Sequence, residues 1–164
     1  MTDAPLVCDT TIFLYLDRVG LIGLLPRLFG PICAPYQVAL ELDMGRMLRQ
    51  DTLDPRILTW LQIVEIAQDD LDRLPSNRLG SGERAVIAHA ISRGSTAGLD
   101  DRLAREFAES LGLHVIGIVG LLLRAKEAKL LEDLRPHLDH LRSQGFHLGE
   151  DVYREALHLA NEAL

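Results

Sequence analysis

Five acidic residues of this 164-residue chain stand where a parallel sheet would bring them together. They are Asp9, Asp100 and Asp101, which directly follow predicted strands, and Glu41 and Glu83, which lie in or near the first turns of predicted helices. In open parallel sheets, ligands bind just outside the carboxyl ends of the strands. We therefore expect these acids to meet at one edge of the sheet.

Carboxylates gathered at one edge need a cation. Glu41 and Glu83 have mostly apolar neighbours along the chain, and burying an unpaired charge is costly. Four such groups would repel one another and raise one another's pKa unless a cation held them. Because no Cys or His accompanies these oxygen ligands, the expected cation is Mg²⁺ or Mn²⁺. Such an ion activates water and stabilises charge on a phosphate, which is what phosphodiester hydrolysis requires.

Each acid also has an ordinary structural interpretation. An Asp that follows a strand often caps the next helix, and a Glu in a first turn is favoured by the helix dipole. Arginines close to these acids in the sequence could instead neutralise them in salt bridges. The whole pattern is more specific than any one residue, because four separate segments must agree.

Short apolar runs alternate with longer helical patterns along the chain. The runs cover residues 6–8, 31–34, 63–66, 96–99 and 113–116. This alternation predicts an α/β fold, with a parallel sheet covered by helices. We predict a single domain over residues 1–164, with two C-terminal helices within 132–164 packed on it.

Composition excludes several broad classes of protein. A 48% hydrophobic and 25% charged chain is too apolar for disorder, and no apolar run reaches the roughly 18 residues of a membrane span. The first residues show no secretory signal, and Cys8 and Cys33 lie in apolar runs, so we expect reduced thiols in a cytoplasmic protein. The formal charge of −7 and the 5% aromatic content count against a broad nucleic-acid-binding surface.

Four segments together resemble the PIN domain. They are Asp9-Thr10-Thr11 after the first strand, Glu41 after Pro35, residues 82–90, and residues 100–105. Beyond residue 108 the chain is similar to a subfamily of predicted nucleic-acid-binding PIN proteins, including its C-terminal Gly145-Phe146 pair. The resemblance implies a three-layer α/β/α fold around a parallel sheet of about five strands, and a metal-dependent ribonuclease.

The resemblance also assigns the site. The catalytic and metal-binding acids that it implies are Asp9, Glu41, Glu83 and Asp101, with Asp100 as the neighbouring alternative ligand. The implied cofactor is Mg²⁺ or Mn²⁺, the implied substrate is RNA, and similarity to VapC-like toxins implies a homodimer with an antitoxin as a candidate partner. Guanidinium groups make planar contacts to phosphate. The candidate RNA contacts are Arg84, Arg102 and Arg105.

Three questions stay open at the level of sequence. The subfamily commonly has Gly-Thr where this chain has Gly117-Ile118, so a hydroxyl expected near the site is absent, which could weaken activity. A non-catalytic PIN-fold module that binds RNA or protein is the alternative to an enzyme. The apolar segment 21–29 either extends the core or forms a dimer contact, and the core is the stronger expectation.

Overall fold

A single parallel sheet forms the centre of the molecule in the computed structural model, which describes residues 4–75 and 77–164. Within these residues the sheet has five strands, in the order β3-β2-β1-β4-β5. The strands are β1 (Leu6–Cys8), β2 (Ile32–Pro35), β3 (Leu61–Val64), β4 (Thr96–Gly98) and β5 (Val115–Ile116). Every neighbouring pair is parallel, with Leu6 opposite both Ile32 and Thr96 in the register of the central strand.

Helices connect these strands and cover the sheet. In the described part of the chain they are α1 (Thr10–Arg18), α2 (Leu24–Leu28), α3 (Tyr36–Leu48), α4 (Gln68–Asp72), α5 (Ser81–Arg93), α6 (Arg102–Ser110), α7 (Ile118–Glu127), α8 (Arg135–Ser143) and α9 (Glu150–Leu159). The predicted three-layer α/β/α fold with a five-stranded parallel sheet is therefore confirmed. None of the helices described is long and apolar enough to cross a membrane.

Strand β1 lies between β2 and β4 and is completely buried, as a central parallel strand should be. The Cys8 side chain fills the space beside Gly98 on the neighbouring strand, where a Cβ would lie 2.9 Å from the Cys8 Sγ atom. Burial raises the pKa of the Cys8 thiol well above its ordinary value, and the Asp9 carboxylate raises it further. The two cysteines are free and buried, as the sequence predicts.

Every strand except β1 differs from its predicted run by one or two residues at an end, and β3 and β5 differ most. Strand β3 begins at Leu61, two residues before the predicted run. The prediction began later because polar Gln62 interrupts the apolar pattern, although Gln62 pairs with Cys33 in the register against β2. Strand β5 is only two residues long. Pro35 ends β2 and precedes the first residue of α3, since its fixed φ suits the entry to a helix.

The C-terminal helices α8 and α9 contribute to the same hydrophobic core as the sheet. Leu138 and Leu141 of α8 and Leu157 of α9 are fully buried in it. The predicted domain over 1–164 includes residues 1–3 and 76, which lie outside the described residues. Over the described residues, one core cluster extends from β1 to the end of α9.

The two apolar segments of the N-terminal half differ in their exposure. Leu24, Leu25, Leu28 and Phe29 are buried, so segment 21–29 belongs to the core. Helix α3 instead carries a row of exposed apolar side chains at helical spacing, which we call the α3 stripe. The α3 stripe consists of Tyr36, Leu40, Met44, Met47 and Leu48, and the last two are 85% and 93% exposed. Rows of this kind on a surface mark protein–protein contacts more often than scattered single residues do.

Candidate functional site

Asp9 lies at the carboxyl end of the central strand, where its backbone N–H donates to the Gly98 carbonyl at 2.9 Å. Its side chain is only 5% exposed, and Oδ1 is buried with no hydrogen-bond partner among the described residues. Burial raises the Asp9 pKa to about 7, the Thr10 N–H opposes this rise, and the charges of Glu41, Glu83 and Asp100 add to it. A buried carboxylate oxygen without a donor calls for a cation or a proton.

Glu41 reaches the same place from α3. Its Oε2 accepts a 2.5 Å hydrogen bond from the Thr10 hydroxyl, and its Oε1 accepts a 2.9 Å bond from the Gly82 N–H. Thr10 begins α1, so the chain that presents Asp9 also positions Glu41. Both bonds come from neutral donors, so neither removes the negative charge of the carboxylate.

Gly82 separates the carboxylates of Asp9 and Glu41. A Cβ on Gly82 would lie 2.8 Å from Asp9 Oδ1 and 2.8 Å from Glu41 Oε1, closer than side-chain atoms normally approach. The absence of a side chain at this position therefore keeps open the space that the two carboxylates share. We call this arrangement the Asp9–Glu41 pair.

Glu83 follows one residue later and has both a structural and an electrostatic role. Its Oε2 accepts a 3.2 Å bond from the Gly80 N–H at the start of α5, which is the helix-capping interaction that its position favours. Partial burial raises the pKa of Glu83, the Gly80 N–H opposes the rise, and the charges of Asp101 and Glu41 add to it. Glu83 therefore interacts electrostatically with Asp101 and Glu41, although it also stabilises the start of its own helix.

Asp100 and Asp101 are adjacent in the chain and differ in role. Asp101 is exposed and caps α6, with its Oδ2 accepting a 2.9 Å bond from the Ala104 N–H. Asp100 is mostly buried, and both of its carboxylate oxygens lie 3.2 Å from the Ile118 N–H. Burial raises the Asp100 pKa to about 6, while the Ile118 N–H and the charge of Arg105 oppose the rise.

Gly117 permits a second close approach, beside Asp100. A Cβ there would lie 2.6 Å from Asp100 Oδ1 and 2.8 Å from Arg105 Nη1. The sequence therefore needs glycine here for the same steric reason as at Gly82. Ile118, where the subfamily commonly has Thr, is fully buried and contributes its backbone N–H to Asp100. We call Asp100, Gly117 and Arg105 the Asp100–Arg105 side.

The three candidate RNA-contacting arginines lie in different environments. Arg102 and Arg105 line a cleft together with Glu83, Asp100 and Asp101, whereas Asp9 and Glu41 do not line it. Arg102 is exposed except for a 3.7 Å ion pair with Glu106. Arg84 does not line this cleft; its guanidinium donates twice to the Leu71 carbonyl, at 3.0 and 2.5 Å. The structure thus places Arg84 in a structural contact between α4 and α5.

The cleft beside the acids has a volume of about 730 Å³. Glu83, Asp100 and Asp101 line it from the sheet edge. Tyr15 of α1 and residues 145–149, which join α8 to α9, also line it. Sequence reasoning did not anticipate this second set, because only long-range packing brings residues 145–149 to the site.

The donor set suits a hard divalent cation. Asp9 offers an unpartnered buried oxygen, Glu41 lies beside it, and Gly82 leaves the intervening space free of side-chain atoms. Across the described ranges 4–75 and 77–164, no three His, Cys, Asp or Glu side chains form a group that could hold a metal ion. Two carboxylates with water molecules are nevertheless a common way to bind Mg²⁺, so the Asp9–Glu41 pair fits such an ion.

Comparisons with known proteins agree with this geometry. The family model described as "DUF3368: PIN domain" matches residues 5–162. The chain belongs to the PIN domain family. No curated protein matches the chain.

A solved structure shows the same fold as this PIN domain. It is the VapBC2 complex of Rickettsia felis bound to a DNA fragment from its promoter. The similarity covers 69% of this chain and 98% of the other, with 19% sequence identity and a TM-score of 0.50. At this sequence identity the similarity supports the fold alone.

Thr10, Gly82 and Gly117 belong to the candidate site, although the sequence motifs did not single them out. Thr10 lies next to Asp9, and the two glycines lie next to Glu83 and Ile118, so all three occur inside or beside the motifs already noted. A small or hydroxyl residue adjacent to a site acid is the signal that could have identified Thr10 and Gly82, whereas Gly117 has no acidic neighbour in the sequence.

Proposed function

We propose that this PIN domain is a metal-dependent endoribonuclease that hydrolyses RNA phosphodiester bonds. The observation that carries the proposal is the unpartnered, buried Oδ1 of Asp9 beside Glu41 at the carboxyl edge of the sheet. Asp9 and Glu41 would hold Mg²⁺ or Mn²⁺, and Glu83 and Asp100 would complete its negative surroundings. Asp101 lines the cleft beside them, but its carboxylate caps α6, so its contribution would be mainly structural. A bound divalent ion supplies Lewis-acid stabilisation of phosphate charge and lowers the pKa of water.

Residues of the protein itself would position the ligands, transfer the proton and hold the phosphate. The Thr10 hydroxyl and the Gly82 N–H fix the orientation of the Glu41 carboxylate. Glu83 lines the cleft with a raised pKa, so its carboxylate suits the transfer of a proton from water. Arg102 and Arg105 would hold the phosphate of the RNA, whereas Arg84 would support them only through the position of α5.

Substitution of Asp9 tests the enzyme directly. We expect Asp9→Asn to lower RNA cleavage in Mn²⁺ or Mg²⁺ by about 10²- to 10³-fold, because it removes a charged ligand at the centre of the site. Asp133→Asn changes an exposed acid on the connection between α7 and α8, and it serves as the matched control. Cleavage by Asp9→Asn at the parent rate would contradict the site assignment.

The alternative is a non-catalytic module that binds RNA or a protein. It predicts no heat of Mn²⁺ binding in isothermal titration and no cleavage of any RNA at millimolar Mg²⁺ or Mn²⁺. The uncompensated charge of the Asp9–Glu41 pair favours the enzyme, because nothing in a purely binding role requires two carboxylates to share a buried space.

We also propose a role as the toxin of a toxin–antitoxin pair in the cytoplasm. Membership of the PIN family and the shared fold with the VapBC2 complex support this assignment, and reduced buried thiols suit that compartment. Expression of the chain should arrest growth, and expression of Asp9→Asn should not. Growth at the normal rate with the active protein present would contradict the toxin role.

The α3 stripe supports a homodimer. A twofold contact uses the same patch on both copies, and an uncharged apolar row is complementary to itself. We expect the parent protein to elute as a dimer and Met47→Lys with Leu48→Glu to elute as a folded monomer, measured by light scattering. Glu155→Lys on the exposed side of α9 is the control. A parent protein that is monomeric at high micromolar concentration would contradict this contact.

A further inference from the structure

We infer that Tyr15 and Phe146, with His147 beside them, form a subsite for one unpaired nucleobase of an RNA strand. The inference rests on the proposed nuclease function and names the residues that would contact a base next to the cleaved bond. It is carried by the aromatic wall of the cleft, by which we mean Tyr15, Phe146 and His147, and these residues have no part in the proposed metal site or phosphate contacts.

The first observation is the composition of that wall. One of the three tyrosines and one of the four phenylalanines of this aromatic-poor chain line the cleft that Glu83 and Asp100 also line. Both rings are only partly buried, and His147 is exposed. Aromatic rings that are left partly open beside a phosphate-processing site offer stacking surfaces for bases.

The second observation is that the wall is held in place. The Tyr15 and Phe146 rings meet edge to face, with centroids 5.2 Å apart and planes at 65°. The Phe146 N–H donates to the Leu141 carbonyl at 3.0 Å, which fixes the turn at the end of α8. Arg18 lies over the Tyr15 ring at 5.3 Å. A pre-organised wall loses little conformational entropy when a base binds to it.

The third observation is the path from this wall to the acids. Thr11 and Tyr15 are four residues apart on α1, so they share the face that lines the cleft. The same helix begins directly after Asp9. A phosphate held by Arg105 beside Asp100, which line the same cleft as Tyr15, would therefore leave its neighbouring base beside the aromatic wall.

The chemistry of the cleft favours an unpaired nucleotide, and the cleft is large enough to hold one. Its volume of about 730 Å³ is within the usual range for small-ligand sites. Bases in an A-form duplex are stacked and paired, so their faces cannot reach an aromatic side chain, whereas bases in loops and single strands can. Arg102 and Arg105 supply the cationic contacts that a phosphate needs at the rim of the same cleft.

Two substrates and two substitutions test the subsite. We would measure cleavage of a short single-stranded RNA in Mn²⁺, and of the same RNA with one abasic position beside the cleaved bond. The parent protein should lose about tenfold in kcat/KM on the abasic RNA, mainly through KM, because one stacking interaction is missing. Tyr15→Leu and Phe146→Leu should show a similar loss on normal RNA and little further loss on abasic RNA.

Leucine keeps the apolar volume of each site, and a thermal unfolding scan confirms that the variants fold. Trp60→Leu changes a partly buried aromatic residue outside the cleft, just before β3, and is the control that should cleave both RNAs as the parent does. Equal cleavage of normal and abasic RNA by the parent would overturn the subsite while leaving the nuclease intact. Unchanged kcat/KM in both leucine variants would also overturn the subsite, and the aromatic wall would then be a candidate contact for a protein partner.

A binding measurement separates this inference from the enzyme itself. An RNA with a fluorescent adenine analogue beside the cleavage point should lose fluorescence on binding to the parent in Ca²⁺, and should lose much less on binding to Tyr15→Leu. If no RNA is cleaved but this quenching persists, the nuclease proposal fails and the subsite stands. If RNA is cleaved without quenching at any analogue position, the subsite fails.

Discussion

Gly82 and Gly117 each lie against a carboxylate at the carboxyl edge of the sheet, and the two positions differ in charge. Gly82 lies between Asp9 and Glu41, two anions whose described hydrogen-bond partners are neutral. Gly117 lies between Asp100 and the guanidinium of Arg105, which partly compensates that anion. The Asp100–Arg105 side therefore has a cation from the chain itself, and the Asp9–Glu41 pair has none. For this reason we expect the metal ion at the Asp9–Glu41 pair.

The largest expected effect is in the pH dependence of stability, and it is greater for Asp9 than for Asp100, whose pKa burial raises only to about 6. The pKa of Asp9 is raised to about 7 in the folded chain, so the unfolded chain gives up its proton at lower pH. The contribution of Asp9 to the free energy of unfolding is thus greatest below about pH 4 and is lost as the pH rises towards 7, at ~1.4 kcal/mol for each unit of pKa difference.

Urea unfolding in EDTA checks this expectation. The stability of the parent relative to Asp9→Asn should fall between pH 4 and pH 7, so that the variant is the more stable at neutral pH. Added Mn²⁺ should raise the melting temperature of the parent more at pH 8 than at pH 5. A constant difference in the free energy of unfolding between parent and variant across this range would show that burial does not raise the Asp9 pKa.

A smaller effect is expected from adding one methyl group to each glycine. Gly82→Ala should lower cleavage about 100-fold and weaken Mn²⁺ binding, since its Cβ would displace both carboxylates from the shared space. Gly117→Ala should disturb Asp100 and Arg105 and lower cleavage less, with Mn²⁺ affinity near that of the parent.

Gly80→Ala is the control for both, because its Cβ would meet only the Glu83 carboxylate, at an ordinary 3.8 Å. Equal losses of Mn²⁺ affinity in Gly82→Ala and Gly117→Ala would mean that the ion spans both sides of the site.

The smallest effect separates the two adjacent aspartates. Asp100→Asn should lower cleavage by about tenfold, an effect typical of groups that support a metal site. Asp101→Asn should change cleavage little, because asparagine also caps helices well, whereas Asp101→Ala should cost about 1 kcal/mol of stability through α6. Initial cleavage rates measure the loss of activity, and thermal unfolding measures the loss of stability. A larger loss of activity for Asp101→Asn than for Asp100→Asn would reverse their roles.

Much of this arrangement could be predicted from the sequence. The apolar run before Asp9 and the proline before α3 were sufficient to place Asp9 and Glu41 at one edge, because strand and helix starts are local signals. The choice between Asp100 and Asp101 was not local. It depends on the residue at which α6 begins, and on Ile118 from a segment 18 residues further along the chain.

Longer-range contacts were beyond sequence reasoning. Arg84 follows Glu83 directly, yet the Leu71 carbonyl of α4 draws its guanidinium away from the cleft. Residues 145–149 reach the cleft only because α8 and α9 pack on the same core as the sheet. Neither contact leaves a periodic signal in the sequence, since each depends on the packing of separate helices.

The burial of Cys8 has a consequence for how the protein responds to oxidants. Cys8 immediately precedes Asp9, and a thiol next to a site acid would ordinarily be a point of inactivation by peroxide or alkylating reagents. Because Cys8 is enclosed beside Gly98 and its pKa is raised, it stays a neutral thiol, and only the thiolate reacts readily. Activity should therefore persist without a reducing agent, and Cys8 should resist iodoacetamide until the protein unfolds.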